Sequence, residues 1–298
     1  MEQKKVHLVL GSGGARGLAH IGVIEVLEEE GFEIVSVAGC SMGAVVGGLY
    51  VAGYNQAYKE WMLTMTRSAV FNLLDFTLTR QGFIKGEKVF NVLREVTGAQ
   101  EIQHLKIPFT AVATDMLRNE EVHYTSGDLY KALRASIAIP GVFTPVLENG
   151  QFLVDGGVLN PLPLNLVRKK ENELVVAVNL NGPASGEKPM LKVNERPEAV
   201  SALWKWLHLT GQDKGNAAGD FSPLSDYSLR ELLLLSYQMT QDRLTSLMLQ
   251  VYPPDVLVEI PVDSCSIFEF HRAETQIELG RETCQKVLTP YTCPSSGC

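Results

Sequence analysis

The stretch Ala38-Gly39-Cys40-Ser41-Met42-Gly43-Ala44 sets a serine between two glycines, directly after the apolar run Ile34-Val35-Ser36-Val37. Glycine and serine are favoured in any turn, so Gly-x-Ser-x-Gly gains meaning only from its surroundings. Here the run Ile34 to Ala38 reads as a buried strand, and Ala44 to Ala52 begins a helix. That context makes Ser41 a nucleophile on a tight strand-to-helix elbow, with Gly39 and Gly43 letting strand and helix approach closely. The serine also stands at a helix N-terminus, where backbone N–H groups favour developing negative charge. The chemistry would be acyl transfer, for which a serine needs a base to take its proton and donors to hold the oxyanion.

Donors have a clear source in Gly11-Ser12-Gly13-Gly14-Ala15-Arg16-Gly17, which follows the first strand and opens the first helix. Glycines bring backbone N–H groups within reach of a bound atom, and Arg16 adds a positive charge. A dinucleotide fingerprint is the competing reading, but counting Gly-x-Gly-x-x-Gly from Gly11 puts Arg16 where the third glycine belongs. The base is less plain. Six histidines (His7, His20, His104, His123, His208 and His271) are available, none with a neighbourhood that marks it out. His7 falls in the first strand and His20 on the first helix, where a structural role is expected. Asp155 is the more pointed candidate, at the end of Phe152-Leu153-Val154 and followed by Gly156-Gly157. A carboxylate at the carboxyl end of a strand lies on the edge that α/β folds use for chemistry, and an Asp-Gly turn is the alternative reading.

Three motifs in this order resemble the patatin-like phospholipases: the glycine loop Ser12 to Gly17, the elbow Gly39 to Gly43, and Asp155-Gly156-Gly157. The match is nearest the bacterial branch similar to the neuropathy target esterase catalytic domain. The segment Ala135-Ser136-Ile137-Ala138-Ile139-Pro140-Gly141-Val142-Phe143-Thr144-Pro145-Val146 also looks like that family's approach to its aspartate. The resemblance implies a Ser-Asp dyad, with Ser41 as nucleophile, Asp155 taking its proton, and the N–H groups of Gly13 and Gly14 forming the oxyanion hole. It implies that Arg16 steadies the loop or meets a phosphate of the substrate. Ser12 departs from the family's three-glycine version, with Gly13 and Gly14 retained. The implied reaction is hydrolysis of fatty acyl esters of lipids through an acyl-enzyme, with a lipid or acyl ester as partner and no cofactor or metal. A regulatory or lipid-binding protein that keeps the fold with little turnover is the alternative.

These residues need a scaffold. Val6 to Leu10 reads as a buried strand and Leu18 to Glu30 as an amphipathic helix closed by Gly31, so the chain opens with a strand–helix–strand–helix alternation. Further strands are expected at Phe109 to Thr114, Phe152 to Val154 and Leu174 to Leu180. The pattern predicts an α/β fold with a mainly parallel central sheet and helices on both faces; the resemblance implies the three-layer α/β/α hydrolase of the patatins. Asn181 to Pro197 is Gly/Pro-rich and reads as a loop, Leu229 to Leu249 as a long helix, Val256 to Ile260 as a strand and Arg272 to Leu288 as a closing helix. Residues 1–298 are therefore expected to form a single domain, with a core over about 6–180, a helical, lid-like region over about 181–252 and a closing strand and helix over about 253–290.

Of the 298 residues 45% are hydrophobic, enough for a large core, and the net charge of −8 argues against a nucleic-acid partner. The apolar stretch Val6 to Leu10 is too short for a signal peptide, and no run approaches the roughly 18 to 20 apolar residues of a membrane span, so a cytoplasmic protein, peripheral to a membrane at most, is expected. Five scattered cysteines without a Cys-x-x-Cys pair predict neither a disulfide framework nor a zinc site. Trp61 to Ile84, rich in Met, Leu and Phe, and the pair Trp204 and Trp206 are either core-packed or an apolar approach for lipid. Asp115, after another strand, is read as a loop-holding carboxylate.

Overall fold

A computed structural model describes residues 4–77, 84–186 and 229–292. Eight strands make one mixed sheet: β1 (Lys5–Leu10), β2 (Glu33–Cys40), β3 (Phe109–Asp115), β4 (Glu120–Tyr124), β5 (Val146–Glu148), β6 (Gln151–Asp155), β7 (Leu174–Gly182) and β8 (Val256–Pro261). The helices are α1 (Ala19–Glu29), α2 (Met42–Val51), α3 (Asn55–Leu63), α4 (Arg67–Leu73), α5 (Glu87–Thr97), α6 (Leu129–Ser136), α7 (Leu229–Val251) and α8 (Ala273–Thr292).

Five strands run parallel in the order β8-β7-β1-β2-β3, and β4, β5 and β6 are antiparallel additions around β3. The strand sequences are nearly continuously apolar because both faces are covered. Val6, Leu8, Leu10, Val176, Val178, Val256, Val258 and Ile260 point to the large core under α1, α2, α6 and α8. The alternate residues Val9, Val175 and Ala177 form a smaller core with Leu162, Leu164, Met248 and Leu249, so α7 packs on the opposite face. The expected architecture of a mainly parallel sheet with helices on both faces is present, with the two layers unequal.

Two details bear on the site. The expected helix after Val37-Ala38 begins at Met42 rather than Ala44, and β2 runs on to Cys40, so Ser41 alone makes the turn. Along β3, residues Phe109 to Val112 pair with β2 and residues Ala113 to Asp115 with β6, both on the edge opposite β4. Strands β2 and β6 therefore meet end to end, Cys40 opposite Val112 and Asp155 opposite the next residue, Ala113.

The segment Trp61 to Ile84 spans the end of α3, α4 and the approach to α5, a group of short helices that strand-helix alternation does not foresee. Expectations falling on 187–228, including Trp204, Trp206 and the middle of the lid-like region, lie outside the described residues. The acidic end of α1 has structural partners: Arg281 of α8 pairs with Glu25 and Glu29, and the Tyr50 hydroxyl donates to Glu28. Those contacts offset the unfavourable placing of acids at a helix C-terminus.

Helices α1 and α8 cross at two glycines. A Cβ on Gly22 would stand 2.0 Å from the Ile277 carbonyl oxygen, and one on Gly280 would stand 2.1 Å from that of Ala19. Because both obstacles are backbone, Gly280→Ala must push the helices apart, and a loss of about 1–3 kcal/mol is expected. Chemical denaturation should show it as a lower midpoint, and an unchanged midpoint would mean that the two helices separate freely.

Candidate active site

Ser41 sits at the turn between β2 and α2 with φ 53° and ψ −121°, a conformation that costs a residue with a side chain of order 1–3 kcal/mol. The flanking glycines make the turn possible. A Cβ at Gly39 would lie 2.5 Å from the Gly43 carbonyl oxygen, and one at Gly43 would lie 2.2 Å from that of Leu10. The sharp elbow thus forces Ser41 outward from the strand and toward the end of β6.

There the Ser41 Oγ donates to Asp155 Oδ2 at 2.5 Å. The other carboxylate oxygen, Oδ1, accepts from the Gly157 N–H at 2.7 Å. Gly156 is needed at the same corner, since a Cβ there would lie 2.3 Å from the Val112 carbonyl oxygen. Asp155 is fully buried, and burial pushes its carboxyl up to about 6, against the hydrogen bonds from Ser41 and Gly157 and the influence of Tyr237 and Cys40, which pull it down. Cys40 is buried with its thiol raised, chiefly by burial and then by Asp155, so it stays protonated.

The glycine loop passes beside this pair. The Ser12 N–H donates to the Pro161 carbonyl at 2.9 Å and the Ala15 N–H to that of Ile267 at 2.9 Å. Between them, the N–H groups of Gly13 and Gly14 have no acceptor among the described residues. Gly14 takes φ +59°, and its Cβ would meet the Ile267 carbonyl oxygen at 2.6 Å; a Cβ at Gly13 would meet Leu180 Cβ at 2.5 Å. Two adjacent N–H groups without an acceptor among the described residues are the type of group that holds an oxyanion.

Arg16, expected to steady the loop or to bind substrate, is turned toward the protein. Its side chain is buried and its guanidinium donates to the carbonyls of Leu180, Val262 and Cys265 and to Asn181 Oδ1. Of the two roles expected for it, the geometry matches steadying the loop against β7 and the segment after β8, and leaves little of the fork to offer a phosphate. His20 also serves the loop, its Nε2 contacting the Gly11 carbonyl at 3.0 Å, and burial pushes its pKa down to about 4. His7 contacts Ser36 and Glu173. Asp115 accepts from Leu117 N, Arg118 and Phe152 N, which is the loop-holding role expected of it.

Three residues that the motifs did not single out also reach the site. Ser136 at the end of α6 is fully buried; its Oγ accepts from the Ser41 N–H at 2.9 Å and donates to the Val112 carbonyl at 2.6 Å. It ties the elbow to β3. Tyr237 and Gln241, one turn apart on α7, cover the Asp155 corner, and Gln241 Nε2 donates to Ser12 Oγ at 3.1 Å. Nothing in the sequence marks them out, since Leu232 to Leu249 mixes Ser236, Gln238, Thr240, Asp242, Arg243 and Thr245 with its apolar residues.

Two cavities lie near the elbow and the glycine loop. One, about 110 Å³ and almost wholly apolar, begins at Met42 and Val45 and runs among Trp61, Met62, Met65, Leu73, Ile84 and Phe143. The other, about 460 Å³ and mixed in polarity, lies between the glycine loop, α7 and Ile267. Within Trp61 to Ile84, Met62 belongs to the core and, with Trp61, Met65 and Ile84, lines the apolar cavity.

An elbow serine, a buried carboxylate and free loop donors on a mostly parallel sheet define an arrangement suited to acyl transfer. The chain belongs to the patatin-like phospholipase family, whose sequence profile matches residues 8–168, and membership supports lipid hydrolysis as its general activity. An uncharacterized NTE family protein of Mycobacterium tuberculosis is 35% identical over 331 aligned positions, covering 96% of this chain and 92% of that one. Patatin-like phospholipase domain-containing protein 6 of Mus musculus is 30% identical over 210 positions, covering 68% of this chain and 15% of that one. Among solved structures, VipD from Legionella pneumophila superposes with a TM-score of 0.47 at 15% identity, covering 97% of this chain and 67% of that one.

Ser136→Ala removes an acceptor for Ser41 N and a donor for the Val112 carbonyl, both buried. A loss of about 1–3 kcal/mol in denaturant unfolding is expected, together with slower reaction of Ser41 with a fluorophosphonate. Wild-type values in both measurements would mean that the elbow holds without the bridge.

Proposed function

We propose that this protein is a serine hydrolase that cleaves fatty acyl esters of lipids through a Ser41–Asp155 dyad. The carrying observation is the 2.5 Å contact from Ser41 Oγ to Asp155 Oδ2 beside two loop N–H groups without an acceptor among the described residues. In the first step the Ser41 oxygen attacks the ester carbonyl while its proton passes to Asp155. The carbonyl oxygen gains the charge and is held by Gly13 N–H and Gly14 N–H. Collapse expels the alcohol, which takes the proton from Asp155, and leaves an acyl-Ser41 ester. Water, deprotonated by Asp155, then releases the fatty acid and restores the serine.

An acyl chain suits the apolar cavity that starts at Met42, the residue after the nucleophile. No helix among the described residues is long and apolar enough to cross a membrane. Peripheral contact is part of the proposal, supported by Phe71 and Phe76, whose rings lie 5.0 Å apart at a 43° tilt and stand 40% and 38% exposed near the cavity-lining Val70 and Leu73. Cytoplasmic location belongs to the same reading. So does a single catalytic unit, supported by β8 extending the sheet beside β7 and by Ile267 beyond it holding the glycine loop. Ser41 and Asp155, intact and in contact, weigh against a regulatory protein that has given up turnover.

Ser41→Ala should abolish hydrolysis of p-nitrophenyl acyl esters and labelling by a fluorophosphonate, and Asp155→Asn should lower kcat by roughly 10²–10⁴-fold. Full activity in either variant would remove the dyad and return attention to the histidines.

A pH profile gives a second test. Asp155 accepts a proton only when ionised, and its carboxyl is raised to about 6 by burial. The ionised fraction therefore falls as pH drops through that value, so kcat/KM should be level above it and decline about tenfold per pH unit below it. A profile flat down to pH values well under 6 would exclude Asp155 as the base.

A further inference from the structure

Helix α7 is far from the motifs in sequence and lies across the Asp155 corner in space. Gln241, 5% exposed, donates from one Nε2 to Ser12 Oγ at 3.1 Å and to the Tyr237 hydroxyl oxygen at 2.8 Å. With that oxygen engaged as an acceptor, the Tyr237 proton points elsewhere. The Asp155 carboxylate lies at the same corner and is influenced by the Tyr237 hydroxyl. Both converge on Gly157: a Cβ there would lie 2.9 Å from the Tyr237 hydroxyl, 3.1 Å from Asp155 Oδ1 and 1.9 Å from Gln241 Nε2. The second glycine of Asp-Gly-Gly thus leaves room for the α7 polar pair to close on the carboxylate.

We propose that Tyr237 is a positioning residue of the active site, its hydroxyl oriented by Gln241 so that it donates to Asp155 and steadies the carboxylate that receives the Ser41 proton. The inference rests on the Ser41–Asp155 reading above. Its consequence is that α7 belongs to the catalytic machinery: Gln241 couples the acid corner to Ser12, the residue that precedes the Gly13 and Gly14 donors. The groups facing Asp155 are the Cys40 thiol from β2, with Glu121 of β4 behind it, and the Tyr237 phenol from α7. Burial and the adjacent Asp155 both raise the phenol well above its ordinary range, so Tyr237 keeps its proton wherever the enzyme works. A donor to the ionised carboxylate favours that form, and removing it moves the acid limb to higher pH.

Tyr237→Phe keeps the ring and removes the donor. In p-nitrophenyl ester hydrolysis we expect kcat to fall roughly 10-fold with KM within about 2-fold, and the acid limb to move up by about half a pH unit or more. Gln241→Leu should shift both in the same direction and carries the test alone where the Phe variant fails to fold. A lower melting temperature with unchanged kcat and unchanged acid limb would make Tyr237 purely structural and overturn the inference. Ser41→Ala and Asp155→Asn are run in parallel. If they are inactive while Tyr237→Phe is wild type, this inference falls and the dyad stands; if Asp155→Asn is wild type, the dyad itself falls.

Discussion

The contact between Ser41 Oγ and Asp155 Oδ2 is made where solvent barely reaches, Ser41 being 3% exposed and Asp155 fully buried. Burying a carboxylate is expensive unless donors surround it, and an unpaired one protonates instead. The rise of Asp155 to about 6 reflects a compromise between burial and the donors on Ser41 and Gly157. That compromise leaves a group that ionises near neutrality and can take and return a proton. Much of the surrounding backbone is arranged to permit it. Gly39, Gly43 and Gly156 each stand where a Cβ would come within 2.5 Å of a main-chain oxygen, so the elbow and the Asp-Gly corner close to a distance that side chains would forbid.

The topology of β3 explains why serine and aspartate meet at all. They are separated by 114 positions, yet β2 and β6 end against consecutive residues of one β3 edge. The parallel strand delivers Ser41 from one direction and the antiparallel strand delivers Asp155 from the other. Ser136 secures the junction by holding Ser41 N and the Val112 carbonyl together. On the far side, the loop donors are braced from behind. His20 holds the Gly11 carbonyl, Arg16 gathers carbonyls of β7 and the segment after β8, and Ile267 holds the Ala15 N–H. A positive charge so engaged acts as a strut, which is why its presence in a glycine loop reads so easily as a ligand for phosphate.

What the sequence revealed and what it concealed divide along physical lines. The parallel strands β1, β2, β7 and β8 and the long helices were legible because burial on two faces leaves continuous apolar runs and burial on one leaves a helical period. The motif residues were legible because a strained serine and close backbone approaches admit few residue types. Helices α3, α4, α5 and α6 were hidden, since their apolar positions serve a cavity and a shared core instead of a sheet face with regular spacing. The partners of Arg16 were hidden because hydrogen bonds to carbonyls from Leu180 to Cys265 leave no trace in the spacing of residues. Tyr237 and Gln241 lie more than 80 positions beyond Asp155, and only the packing of α7 on the smaller core shows where they point.

The unequal faces of the sheet give the site its polarity. The helix-rich face carries the apolar cavity beginning at Met42, and α7 on the other face carries the mixed cleft with Tyr237 and Gln241. Met42, next to Ser41, lines the first and the Gly13–Gly14 loop lines the second, at the carboxyl end of the central strands where α/β folds place their chemistry. On the proposed reading an ester bound there extends its hydrocarbon toward α3 and α4 and its leaving group toward α7. Water for the second step then reaches the acyl-enzyme from the polar side, where the carboxylate that activates it is already held. On that reading, separating hydrocarbon from water across one serine keeps the acyl chain buried while its ester is hydrolysed, and the dissimilar layers over the two faces of the sheet favour that separation.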